Sequence, residues 1–176
     1  AEGFWTGVEA LCRKHGIVLI LDDVRAGFRL HDGGSHRLFG FTPDFSCFSK
    51  ALGNGYAISA CVGREEYRRS AREVFLTGSS WNDAVAMAAA LKCLEVAKKK
   101  NIVESLDAMG RRLAEGLVQR AREHGFSLDV TGPPPMPFPC FEGDENLYLL
   151  QEFCRLCADN AVFFHPHHNW FLCAAH

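Results

Sequence analysis

No run in this chain approaches the ~20 apolar residues that span a bilayer, so a transmembrane helix is not expected. Neither charge sign is in marked excess: 19 Lys and Arg stand against 21 Asp and Glu, a formal net charge of −2. That balance argues against a nucleic-acid surface and against a binder of anionic membranes. The opening Ala1-Glu2-Gly3 lacks a basic region, so no secretory signal is read there and a cytoplasmic location is expected. Internal repeats and low-complexity tracts are also missing. Cysteine, in contrast, is plentiful. The eight residues at 12, 47, 61, 93, 140, 154, 157 and 173 fall mostly inside apolar segments. They read as free thiols used as small hydrophobes in a reducing compartment, not as a disulfide framework.

The chain is 48% hydrophobic and 23% charged, an ordinary globular balance. Residues 4–15 have helical periodicity and stop before Gly16, a C-terminal cap. Residues 17–22 are a continuous apolar run, expected to be a parallel strand buried on both faces. A polar, glycine-bearing connection covers 27–44. Short strands are expected at 45–49 and 58–63, with Gly53-Asn54-Gly55 as the turn between them. This alternation argues an α/β layered domain. A charged surface helix follows at 65–72. Then comes a long helix from Asn82 to Lys98 with Met87, Ala90, Leu91, Leu94 and Ala97 on one face. Lys98-Lys99-Lys100 suits that helix's C-terminal end and does not make a nucleic-acid patch. A second amphipathic helix is read at 102–124. The proline-rich 131–139 is expected as an extended crossing segment, neither helix nor central strand. A helix at 147–158 and a strand at Ala161–Phe164 complete the pattern.

Two residues stand out for chemistry. The apolar run Ile17-Val18-Leu19-Ile20-Leu21 delivers Asp22 at its end, and Lys50 follows the strand Phe45–Ser49 just before the glycine turn. In open α/β sheets, ligands bind outside the carboxyl ends of strands. A carboxylate and a lysine placed there suit pyridoxal phosphate (PLP): Lys50 as the Schiff-base amine, Asp22 holding the pyridine nitrogen protonated. The bland alternatives are a solvated strand end for Lys50 and a turn or cap residue for Asp22.

The wider pattern carries a resemblance. Asp22-Asp23-Val24-Arg25-Ala26-Gly27, Thr42-Pro43-Asp44, Ser49-Lys50-Ala51-Leu52-Gly53-Asn54-Gly55 and Ala60-Cys61-Val62-Gly63-Arg64 resemble the class-III PLP-dependent aminotransferases. Within that class the pattern is most similar to glutamate-1-semialdehyde 2,1-aminomutase and its relatives. The 28-residue step from Asp22 to Lys50 fits that branch without a gap. The stretch from Thr77 to Ala90 resembles the segment opening the family's long helix.

The resemblance implies the fold-type-I α/β architecture: part of a large domain with a mostly parallel sheet, and a small α+β C-terminal domain. Residues 1–97 would close the PLP-binding large domain, and 98–176 would be the small domain, truncated. The chain thus looks like the C-terminal portion of an enzyme. The resemblance also implies that Val24 packs on the PLP ring. Ser79 matches a threonine that reaches the PLP phosphate of a neighbouring subunit; helix capping is its ordinary alternative. Asp23 stands where relatives usually carry Glu. A homodimer with shared active sites, acting on a small-molecule amino donor and acceptor, is the implied assembly.

The leading expectation is amino transfer through Lys50. The intramolecular transfer of an aminomutase and a non-catalytic truncated relative are the alternatives. His165-Pro166-His167-His168 offers three imidazoles for a zinc or nickel site, and Cys154-x-x-Cys157 offers a redox or metal pair. Neither has the accompanying ligands such sites need, and no metal is expected. Arg29 suits a substrate carboxylate or an ordinary ion pair.

Overall fold

A computed structural model describes residues 3–176, and the chain divides into two compact units, Ala1–Val103 and Glu104–His176. In the first unit, α1 (Phe4–His15) ends at Gly16, whose φ of 63° lets the Ile17 N–H return to the Cys12 carbonyl at 2.9 Å. Three strands follow with short helices between them. These are β1 (Ile20–Asp22), α2 (Ser35–Phe39), β2 (Phe45–Phe48), β3 (Ala60–Gly63), α3 (Arg68–Glu73) and α4 (Ala84–Lys99). The sheet order is β1-β2-β3. β1 pairs β2 in parallel from Ile20↔Phe45 to Asp22↔Cys47, while β2 and β3 are antiparallel from Phe45↔Gly63 to Phe48↔Ala60. Phe48, Leu52 and Ala90 form the buried cluster, with Phe28, Ile58, Ala60 and Leu94 packed against it.

The structure corrects two readings here. The first apolar run becomes strand only at Ile20–Asp22, and Ile17, Val18 and Ile20 are exposed. Within this unit β1 has β2 on one edge and α1 buries no residue, so the two-sided burial of the apolar run is not reached. The long helix starts at Ala84, capped by Asp83, whose Oδ1 accepts from the Val85 and Ala86 N–H groups at 2.9 and 3.4 Å. Its inward face is Ala86 and Ala90, while Met87 and Leu91 of the apolar face are exposed. The small side chains let the helix backbone approach the Phe48–Leu52 cluster, which bulkier ones would hold off.

The second unit holds α5 (Ile102–Glu123), the hairpin β4 (Leu128–Thr131) and β5 (Phe138–Phe141), and α6 (Tyr148–Asp159). Leu150, Cys154 and Trp170 are its buried cluster. Rings run in sequence beside it: Phe126, Phe141, Phe153, Phe164 and Trp170, the last two stacked at 3.9 Å. Part of the proline-rich segment proves to be strand, since Pro139 sits in β5 opposite Val130. A two-stranded ribbon tolerates proline because each strand has an unpaired edge. Ala161–Phe164 is not a strand. Ala161 has φ 62° and the Val162 N–H returns to the Cys157 carbonyl at 2.9 Å, so these residues close α6 in a left-handed C-terminal motif. Among the described residues no helix is long and apolar enough to cross a membrane.

Candidate active site at the carboxyl ends of β1 and β2

The parallel pairing of β1 with β2 sets the site. Asp22 is the last residue of β1 and lies in register with Cys47; Lys50 follows three residues later, just past the end of β2. Carboxylate and amine thus leave the sheet from the carboxyl ends of adjacent parallel strands, where α/β folds bind ligands. Both are exposed. Asp22 Oδ1 accepts a hydrogen bond from the Val24 N–H at 3.1 Å, an Asx-type turn that fixes the start of the following loop. Val24 is half-buried directly beyond it.

Lys50 has φ 44°, in the left-handed region that a lysine adopts at a cost of order 1–3 kcal/mol. Local contacts hold it there. Its carbonyl accepts from Gly53 and Asn54 N–H groups at 3.2 and 3.0 Å, and Ser49 Oγ donates to the Ile58 carbonyl at 2.8 Å. Leu52 anchors the turn in the core. A Cβ on Gly53 would lie 2.5 Å from the Tyr56 carbonyl oxygen, so this tight return needs glycine. Strained backbone of this kind gathers at functional sites, where surrounding structure over-determines it.

Two buried carboxylates support the strand ends. Asp23 is 1% exposed; its Oδ2 accepts from the Ser35 N–H at 2.8 Å, drawing the 33–35 loop over the end of β1. Asp44, just before β2, accepts from Arg13 Nη1 at 2.6 Å, Arg64 Nη1 at 3.1 Å and the Leu19 N–H at 2.8 Å. Burial pushes the Asp44 carboxyl up, but the Leu19 N–H and the two guanidinium groups outweigh it and hold it below its ordinary value. Burial lowers His36, and Arg37 adds to that shift.

Ser79 sits in exposed turns before α4, and the capping role it could have had belongs to Asp83. The histidine run serves the backbone. The His165 carbonyl accepts from Trp170 Nε1 at 2.9 Å and His165 Nδ1 from the His167 N–H at 3.1 Å. Among the described residues no three His, Cys, Asp or Glu side chains are grouped to hold a metal. Cys154 packs in the second core, and burial pushes both its thiol and that of Cys157 up.

One feature escaped the sequence reading. Cys47 and Cys61, taken as small hydrophobes, face each other across β2 and β3 with sulfurs 3.9 Å apart. The signal was present. Both lie seven residues from Asn54, the centre of the Gly53-Asn54-Gly55 turn, and residues equidistant from such a turn pair across antiparallel strands.

Strand-end carboxylate, lysine on a constrained turn and mixed sheet are the attributes of an α/β cofactor-binding domain. Comparison with known proteins narrows this. Residues 1–169 match the aminotransferase class-III family, to which the chain belongs. It is 41% identical over 165 residues to the aminopentol aminotransferase of Sphingopyxis macrogoltabida, covering 94% of this chain and 39% of that protein. It is 36% identical over 178 residues to the 3-aminobutyryl-CoA aminotransferase of Cloacimonas acidaminovorans, covering 99% and 43%. A glutamate-1-semialdehyde 2,1-aminomutase of Desulforapulum autotrophicum is 41% identical over 133 residues, 74% of this chain and 31% of that protein. The structure of the FumI protein of Sphingopyxis sp. MTA144 in its PLP internal aldimine form superposes with a TM-score of 0.95 at 39% identity, over 100% of this chain and 42% of that one. The fold is therefore that of the fold-type-I PLP-dependent aminotransferases, and the chain spans about two fifths of the length of these two aminotransferases and of FumI.

Proposed function

We propose that the protein carrying this chain is a PLP-dependent aminotransferase acting between a small-molecule amino donor and a keto or aldehyde acceptor, with Lys50 as the cofactor-bearing amine. The observation that supports this best is the emergence of Asp22 and Lys50 from adjacent parallel strand ends, with Lys50 held at a positive φ. When bound, PLP supplies an electron sink for the charge that develops at the substrate Cα. Lys50 provides a nucleophilic amine for the cofactor aldehyde. With its amine free of the cofactor, Lys50 would be the base that moves a proton between the substrate Cα and the cofactor carbon in each half of the transfer. Asp22 would keep the pyridine nitrogen protonated, and Val24 would pack against the ring. Ser79 would donate its hydroxyl to the cofactor phosphate of a neighbouring subunit, which would make a homodimer the working unit. The cytoplasm is the compartment we assign, in keeping with eight cysteines that are all free thiols.

Intermolecular transfer is favoured over the aminomutase reaction by coverage. The two aminotransferase matches extend over 94% and 99% of the chain, the aminomutase match over 74%. The test is made on the full-length protein. An absorbance band with added PLP, lost on borohydride reduction with the label recovered on Lys50, is the expected result; a folded protein with no band, or label elsewhere, overturns the reading. Asp22→Ala is expected to lower turnover at least about 100-fold while PLP occupancy falls far less. Equal losses would remove Asp22 from the assignment.

A further inference from the structure

We infer that Cys47 and Cys61 form a reversible disulfide across β2 and β3, closing the loop that carries Lys50. The strand geometry supports the bond. The Arg64 N–H donates to the Asp44 carbonyl at 3.0 Å, which makes Asp44 and Arg64 a hydrogen-bonded pair at the start of the ladder. Pairs alternate along antiparallel strands, so Cys47 and Cys61, three steps on, are a non-hydrogen-bonded pair, the kind in which side chains come closest. In agreement, the Cys47 carbonyl points to β1, where it accepts from the Asp23 N–H at 2.9 Å. Cα atoms of such pairs are about 4.5 Å apart, at the short end of the range that disulfides span. The sulfurs, 3.9 Å apart, have less than about 2 Å to travel to bonding distance.

Cys61 is exposed and Cys47 half-buried, which sets the order of events. The Cys61 thiolate attacks one sulfur of a small-molecule disulfide, breaking its S–S bond and releasing one thiolate. The Cys47 thiolate then attacks the Cys61 sulfur of the mixed disulfide; the Cys47–Cys61 bond forms and the second small thiolate leaves. Two protein thiols are oxidised and one small disulfide is reduced to two thiols. The bond would sit at the short limit of disulfide geometry, and strained disulfides are the readily reduced ones, so a reducing compartment keeps the pair open. The closed loop joins residues 14 apart and contains Ser49, Lys50 and the whole glycine turn. Oxidation therefore restrains the segment on which Lys50 must move. That consequence rests on the assignment of Lys50 above; the bond itself does not.

The experiment equilibrates the full-length, PLP-loaded protein with mixtures of oxidised and reduced glutathione, alkylates free thiols and maps peptides by mass spectrometry. The expected result is a Cys47–Cys61 linked peptide that reverts with dithiothreitol and forms before links at any other cysteine. A Cys61→Ser protein is expected to lack the link, but the measurement on the unmodified protein stands whether or not that variant folds. Cys61 glutathione adducts that persist without linking to Cys47, or two free thiols throughout, overturn the inference. Amino transfer is expected to fall about tenfold or more in step with linking and to recover on reduction. Full linking with unchanged transfer removes the effect on Lys50, while failure of the full-length protein to load PLP at the outset, with the link still forming, condemns the cofactor reading and leaves the bond standing.

Discussion

Around β1 and β2 the most deeply buried side chains include two carboxylates, Asp23 and Asp44; around α6 they are Leu150 and the prolines at 135, 137 and 139. The first unit holds its strand ends with charge and hydrogen bonds, and leaves Ile17, Val18 and Ile20 exposed. The second buries a chain of rings and aliphatic groups with no buried charge among its described residues. The difference follows from what each has to do. A site that presents Asp22 and Lys50 at strand ends needs backbone fixed in direction, and a buried carboxylate receiving several donors does that better than apolar contact. The buried cluster of the second unit is held by packing. Substitutions that attack one chemistry and not the other are the means to break this contrast.

The largest effect is expected from Leu150→Ala, since Leu150 is 1% exposed in the second cluster. Removing its side chain should cost about 2–5 kcal/mol, transfer and cavity together. Hydrogen exchange on the intact protein would read it. Amides of α6 and β5 should open faster while those of β2 keep their protection. Equal acceleration in β2 would mean that the two units unfold as one, and the contrast would fail.

Most of the second unit's helices were legible because their signals are local: periodicity in 102–124, and the amphipathic pattern of 147–158. What escaped depends on partners distant in sequence. Pro139 is expected to be extended and outside a central strand, and it is buried in β5, where a ribbon edge removes the penalty that a central position would impose. Ala161–Phe164 has strand composition, but the demand to close α6 takes Ala161 into the left-handed region. Gly110 carries no turn signal at all. It sits mid-helix because a Cβ there would run into the Pro134 carbonyl, a contact no local pattern announces. In the first unit, Lys50 and Asp22 are candidates that motif and strand polarity single out. The Asp44 anchor has no local signal, since among its partners Arg13 and Arg64 lie 51 positions apart.

Asp44→Asn attacks the polar side of the comparison. The amide loses the negative charge facing Arg13 and Arg64 and turns an N–H₂ group toward donors, so a loss of about 1.5–3 kcal/mol is expected. Its signature is in pH. The folded-state value of Asp44 lies below the ordinary one, so its stabilisation is complete above the unfolded value of about 4 and disappears as pH falls through the lower folded value. Acid should therefore narrow the gap between wild type and Asp44→Asn in denaturant titrations at a series of pH values. A gap independent of pH would show that packing, not charge, holds this end of β2.

The smallest effect tests whether the polar rule extends along the first unit. Asp83 caps α4 through the Val85 and Ala86 N–H groups, and α4 supplies Ala90 to the cluster that also contains Leu52 of the lysine turn. Asp83→Ala should cost about 1 kcal/mol, the worth of an N-cap, and Asp83→Ser should recover most of it. The loss should appear as faster exchange in the first turn of α4 with little change at Leu52, because Ala90, the α4 residue in the Leu52 cluster, lies a turn beyond the capped amides. If exchange at Leu52 rises as much as at Val85, the cap is coupled to the turn that strains Lys50. The carboxylates of the first unit would then act together on the site, and the polar framework would extend from the strand ends into the helix.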